Sequence, residues 1–174
     1  MRRGRVDSEP TEVYDRDSMP EQTPRRRQRD LVPQDKVCID FAILGDFAQM
    51  AAGKLTIVGA GWTVINAQQY PQMVPFGLGI GISIPWTETN RQHPFTFTIQ
   101  ADNGAQIASG GGQVEAGRQP GMPVGMTQRA TLGIAGQFQI SGSGTYRVIV
   151  TAGEDSKTIT FEAMPAGGGF QMGQ

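Results

Sequence analysis

The sequence predicts an all-β protein: a single antiparallel two-layer sandwich of seven to eight strands, preceded by a disordered N-terminal arm. Three observations carry this. No window of eleven or more residues repeats its apolar positions with the 3.6-residue period of a helix. Short runs of alternating apolar and polar residues recur along the chain, separated by Gly, Pro, Asn and Asp. The third is the stretch Pro75 to Pro85, where Phe76, Leu78, Ile80, Ile82 and Ile84 occupy every second position. Side chains of a strand alternate between faces, so all five point one way, and Gly77, Gly79, Gly81 and Ser83 form the opposite face. Glycine within a strand is tolerated where another backbone or a ligand comes close.

Residues 1–35 hold eight Arg and eight Asp or Glu but only seven apolar side chains, with Pro10, Pro20, Pro24 and Pro33 among them. Too little surface can be buried there to offset the entropy of ordering, so this stretch reads as an extended arm. Arg25, Arg26, Arg27 and Arg29 form a local basic cluster, a solvated linker or a short segment that docks on an acidic surface or on phosphate.

The globular domain is expected over residues 36–164. Val37, Ile39, Phe41 and Ile43 alternate with Cys38, Asp40 and Ala42 in a first strand that Asp46 ends. A turn through Ala51 to Lys54 leads to Leu55–Val58, expected to pair antiparallel with that first strand. Gly59 to Gly61 mark a bulge, after which the apolar phase moves to Trp62 and Val64. Trp62 beside glycines reads as an indole packed over backbone, or alternatively as an exposed stacking platform.

A polar loop from Asn66 to Gln72 precedes the Pro75–Pro85 strand, and Trp86 to His93 follow it as a connection rich in hydrogen-bonding groups. Phe95, Phe97 and Ile99 give the next strand its inward row. Asp102-Asn103-Gly104 closes it in a tight hairpin turn, and Ala105 to Ala116 returns as a weaker strand interrupted by Gly110 to Gly112. Gly117 to Gly125 is a loop. Three more strands follow, marked by Ala130 to Ile140, by Tyr146, Val148 and Val150, and by Ile159, Phe161 and Ala163, before a Gly-rich tail over 165–174. The entry Gly144-Thr145-Tyr146 resembles the tyrosine corner of immunoglobulin-like sandwiches, in which the hydroxyl bonds back to nearby backbone.

Composition narrows the chemistry. Net charge is −1, so no global field draws the chain to nucleic acid or anionic lipid, and binding of nucleic acid is expected only through the arm. No apolar run spans a bilayer, and Arg2, Arg3 and Arg5 followed by acidic residues do not make a signal peptide, which points to a cytoplasmic protein, or to a virion if the gene belongs to a phage. Cys38 is the sole cysteine, so an intramolecular disulfide is ruled out and a buried, inert thiol is expected. His93 is the sole histidine, and the carboxylates Asp40, Asp46, Glu88 and Asp102 show no calcium-loop spacing. No Gly-x-Ser-x-Gly elbow occurs, and the spacing of Gly77, Gly79 and Gly81 lies within a strand, where a phosphate-binding turn cannot form. The reading is a protein without catalytic residues, cofactor or metal.

Several segments resemble, in order, a family of small bacterial proteins of unknown function found mainly in actinobacteria: Asp40 to Asp46, Gly53 to Trp62, Ile84 to His93, Gly117 to Pro123 and Gly144 to Tyr146. The resemblance covers about residues 36–163. It implies a compact β-sandwich and carries no activity.

Two functions fit these residues. The first is a structural or protein-interaction module, such as a virion component, that packs its Gly77, Gly79 and Gly81 face or an open sheet edge on a partner or on itself, with the arm as tether. The second is a small-ligand or glycan binder with Trp62 and Trp86 as an aromatic floor and Glu88, Asn90, Arg91 and His93 as its rim.

Overall fold

A computed structural model describes residues 35–167. The strands are β1 (Cys38–Gly45), β2 (Phe47–Ala51), β3 (Lys54–Val58), β4 (Val64–Ala67), β5 (Gln72–Ile84), β6 (Gln92–Ala101), β7 (Gln106–Glu115), β8 (Gln128–Ile140), β9 (Gly144–Ala152) and β10 (Asp155–Pro165). They fall into three sheets, ordered β1-β5-β8, β4-β10-β9-β6-β7 and β2-β3. Among the described residues no helix is long and apolar enough to cross a membrane.

Alternation decides the core as expected at β5, where Leu78, Ile80, Ile82 and Ile84 are wholly buried. Each such side chain contributes on the order of 1.5–3 kcal/mol by leaving water. The larger two sheets share one apolar core: Phe76 of β5 meets Phe97 of β6 at 6.0 Å between ring centroids, and Phe138 of β8 meets Phe161 of β10 at the same distance. Tyr146 donates its hydroxyl hydrogen to the Gly142 carbonyl at 2.9 Å, the backward bond that the Gly144-Thr145-Tyr146 entry suggests.

The first strands depart from the expectation. Leu55–Val58 does not pair with β1; it pairs antiparallel with β2, a separate strand, and β1 instead pairs with β5. Within β1 the register shifts between Ile39 and Phe41, so Ile39 and Leu44 face the core while Phe41 and Ile43 turn to the other side. The pivot is Asp40, whose carboxylate accepts from Ser83 Oγ at 2.7 Å and pairs with Arg129. A local bulge of this kind leaves the apolar alternation of the sequence intact and changes which half of it faces inward.

Smaller corrections follow along the chain. Val64, expected in the apolar phase with Trp62, is exposed, and Ala67 is buried: Val64–Ala67 forms a short strand parallel to β10 that runs into the start of the loop expected over Asn66 to Gln72. Cys38 is half-buried. The Asp102-Asn103-Gly104 turn is a three-residue loop in which only Gly104 has positive φ, and the register shift between Ile99 and Gln100 absorbs the extra residue. β7 runs unbroken through Gly110 to Gly112. β10 extends to Pro165, and Ala166 still donates its N–H to the Ala67 carbonyl at 2.7 Å, so the chain stays hydrogen-bonded past the point where a tail was expected.

The glycine face of β5 is filled by the chain itself. The β2-β3 hairpin lies across it: a Cβ on Gly77 would sit 2.1 Å from the Phe47 carbonyl carbon, and one on Gly79 would sit 2.3 Å from Ile57 Cδ1. Phe41 occupies the corresponding space at Gly81, with Cε1 2.2 Å from the Cβ position. The close approach that the glycines signal is therefore intramolecular, and this face is not open to a partner.

Candidate functional site

At the C-terminal end of β5 the chain makes one 3-10 turn, Trp86–Glu88, because Pro85 closes the strand and Glu88 N–H then bonds the Pro85 carbonyl at 2.9 Å. Thr89 ends the turn, buried, with its hydroxyl donating to the Trp86 carbonyl at 2.7 Å. Asn90 takes a left-handed conformation, φ 59°, which asparagine tolerates better than most residues, and this aims its N–H at the Ala116 carbonyl 2.9 Å away. The loop is thereby tied to the start of the β7–β8 connection.

That connection returns the tie through Arg118. Its guanidinium lies over the Trp86 ring, 4.4 Å from the centroid. Its Nε donates to Thr89 Oγ1 at 2.7 Å, its Nη2 to the Trp86 carbonyl at 3.0 Å, and its backbone N–H to Asn90 Oδ1 at 3.2 Å. A planar, multi-donor guanidinium can stack and fork at once, which the lysine ammonium cannot. Further along the same loop Val124 is 85% exposed and Met126 51%.

The ionisable groups here are each engaged within the loop. His93 is buried at the start of β6 and its Nε2 lies 2.7 Å from the Glu88 carbonyl oxygen, so that nitrogen carries the proton and donates. The Glu88 carboxylate faces Arg91 at 3.4 Å. Among the described residues no three His, Cys, Asp or Glu side chains gather as metal ligands would.

Of the residues singled out in the sequence, the structure brings together Trp86, Glu88, Asn90, Arg91 and His93. Trp62 lies elsewhere. It packs edge-on against Phe161 at 5.8 Å and donates Nε1–H to Asp46 Oδ1 at 2.8 Å, and the ring series Phe161, Phe138, Phe76 places it at the opposite end of β5. From Phe76 to Ile84 a strand advances roughly 26 Å at about 3.3 Å per residue, so the two indoles do not form one floor. Gly77, Gly79 and Gly81 are buried beneath the hairpin and Phe41. Arg25, Arg26, Arg27 and Arg29 lie outside the described residues.

Sequence reasoning missed Arg118 as a partner of Trp86. The residues sit 32 apart, in two loops without periodicity, and only the pairing of β5 with β8 and of β6 with β7 brings those loops side by side.

Fold and loop end together define a small all-β domain whose polar end is fastened loop to loop. The chain belongs to a family of unknown function, DUF6941, whose model matches residues 40–161. The match spans Asp40, the Trp86 turn and Arg118, and it ends at Phe161. No curated protein matches the sequence.

Proposed function

We propose that the domain is a non-enzymatic protein-interaction module, an immunoglobulin-like sandwich that serves as a component of a larger protein assembly and meets its partner with the Trp86–Arg118 end. The observation that supports this reading is the locked stack of Arg118 on Trp86, on a loop that further along exposes Val124 and Met126. Tryptophan, arginine and methionine are enriched at protein interfaces, and a surface already held in place loses little entropy on binding. The same stack counts against the ligand-binding reading, since the Trp86 face that would receive a sugar ring is covered by Arg118.

A photoreactive side chain placed at Val124 of the full chain, in the cells that make it, tests the reading. A discrete protein adduct is expected, lost when Trp86→Ala is added and missing from a control label at exposed Thr158 on β10. Equal labelling from both positions, or labelling that ignores Trp86, would refute it.

A further inference from the structure

Four strands end the two larger sheets, and three of them carry an evident safeguard against pairing with another chain. On β1, the Asp155 carboxylate accepts from the Ile39 N–H at 2.8 Å and Lys157 Nζ donates to the Asp40 carbonyl at 2.7 Å, so side chains use the outward backbone groups next to a bulge. β4 is only four residues long. The hairpin crosses from β5, where Phe47 and Ala48 lie over Gly77, to β8, where Gln49 lies over Gly133, so it covers a face of that edge strand. β7 lacks these over most of its length. It ends the five-stranded sheet with ten residues, has its single bulge at Ile107 near its start and pairs regularly from Ala108 to Glu115, contains no proline or inward charge, and carries one charged side chain, Glu115, at its last position.

We propose that β7 is the seam of a homodimer, pairing antiparallel with β7 of a second copy about a two-fold axis at Gly111 and joining the two five-stranded sheets into one. An edge strand presents a row of unpaired N–H and C=O groups, and an isologous contact must be complementary to itself. β7 meets that condition. The axis sets Ala108 opposite Val114 of the second copy and Gly110 opposite its Gly112 on the core side, and it sets Ser109 opposite its Gln113 on the outer side. Glu115 falls at the second copy's bulge around Ile107, where β7 carries no charge, so no like charges meet. Gly111 helps, because it leaves the middle of the outer face without a side chain of its own, in an open hollow of about 550 Å³ lined by Thr96, Thr98, Ser109 and Gln113. A different surface from the Trp86 end carries this inference, which stands or falls separately from it.

Sedimentation equilibrium of the full chain is the test. The mass should rise with concentration toward twice 18.7 kDa, and deuterium exchange of the β7 amides should slow in parallel. Ser109→Lys with Gln113→Lys, both at exposed positions, places lysine opposite lysine across the axis and should leave a folded monomer. Ser109→Lys with Gln113→Glu places opposite charges there and should restore the dimer. A wild type that stays monomeric at high micromolar concentration overturns the proposal. So does a dimer that survives the double lysine variant, or a Lys/Glu variant no more associated than the Lys/Lys one. Should the Lys/Lys variant fail to fold, the concentration dependence of wild-type exchange at β7 decides the matter.

Discussion

The Phe97 ring lies across Gly110, its directly paired neighbour on β7, with Cε1 2.5 Å from where a Cβ would stand. The arrangement recurs at Phe95 and Gly112, Phe76 and Gly136, and Phe41 and Gly81, each a cross-strand pair. A ring laid over a glycine restores the apolar cover that the missing side chain fails to give, and it explains why so glycine-rich a chain still forms long strands. Glycine and ring are coupled, so Gly110→Val should displace Phe97 and cost about 1–3 kcal/mol, as overpacking does. Urea unfolding would measure the loss, and combining it with Phe97→Ala should give less than the sum of the single effects. Additive costs would show that the pair is not a unit.

Gly77 and Gly79 sit in the same strand and face the same hairpin, yet they should respond differently. A methyl on Gly77 meets the backbone of Phe47 and Ala48 at 2.1–2.6 Å, which can move only if the hairpin lifts. At Gly79 the obstacles are the tips of Ile57 and Leu55, at 2.3 and 2.8 Å, which can rotate away. Gly77→Ala should therefore destabilise by about 2–3 kcal/mol and Gly79→Ala by about 1 kcal/mol. Equal unfolding midpoints for the two variants would contradict the docking of β2-β3 on this face.

The hairpin also carries a local misfit. Its two-residue turn places Ala52 at φ 48° and Gly53 at φ 73°, a pairing suited to Asn-Gly. Alanine pays about 1 kcal/mol or more for the left-handed region, whereas asparagine visits it readily. Ala52→Asn should raise stability by about 0.5–1 kcal/mol in chemical denaturation, and Ala52→Val should lower it.

Much of the fold is legible in the residues because burial and turn chemistry are local. The β5 alternation, the backward bond of Tyr146 to Gly142 and the turn at Gly153 can each be read from a few adjacent side chains. What escapes reading depends on distant partners. The Asp40 bulge that swings Phe41 away from the core requires Ser83 and Arg129, and the sequence alternation on either side of it is unbroken. The glycines of β5 announce a close neighbour without naming it, and the neighbour turns out to be a hairpin about twenty to thirty residues earlier in the same chain. Trp86 and Arg118 fail to declare each other for the same reason, since their contact exists only once two strand pairs have formed.

At the other end of β5, Asp46 holds Trp62 in place. Its Oδ1 accepts the indole N–H at 2.8 Å while its own N–H bonds the Val58 carbonyl at 2.9 Å, so one residue fixes both the hairpin base and the ring. Asp46→Ala should cost about 1 kcal/mol and shift Trp62 emission to longer wavelength as the ring loosens against Phe161. Asp46→Asn keeps an acceptor oxygen and should retain most of the wild-type emission.

The Arg118 stack makes a prediction that separates charge from shape. With Trp62→Phe as background, Trp86 alone reports, and Arg118→Ala should make its emission several-fold more open to acrylamide quenching because the face of the ring is uncovered. Arg118→Lys keeps the charge but cannot donate from Nε and Nη2 to Thr89 and the Trp86 carbonyl while lying flat on the ring. It should therefore resemble the alanine variant more than wild type. Raising the salt concentration should change wild-type quenching little, since the contact is held by short hydrogen bonds and stacking, and long-range attraction contributes little to it. A lysine variant that shields Trp86 as well as arginine does would mean that charge alone holds this end together, and the rigid surface proposed for the partner would lose its physical basis.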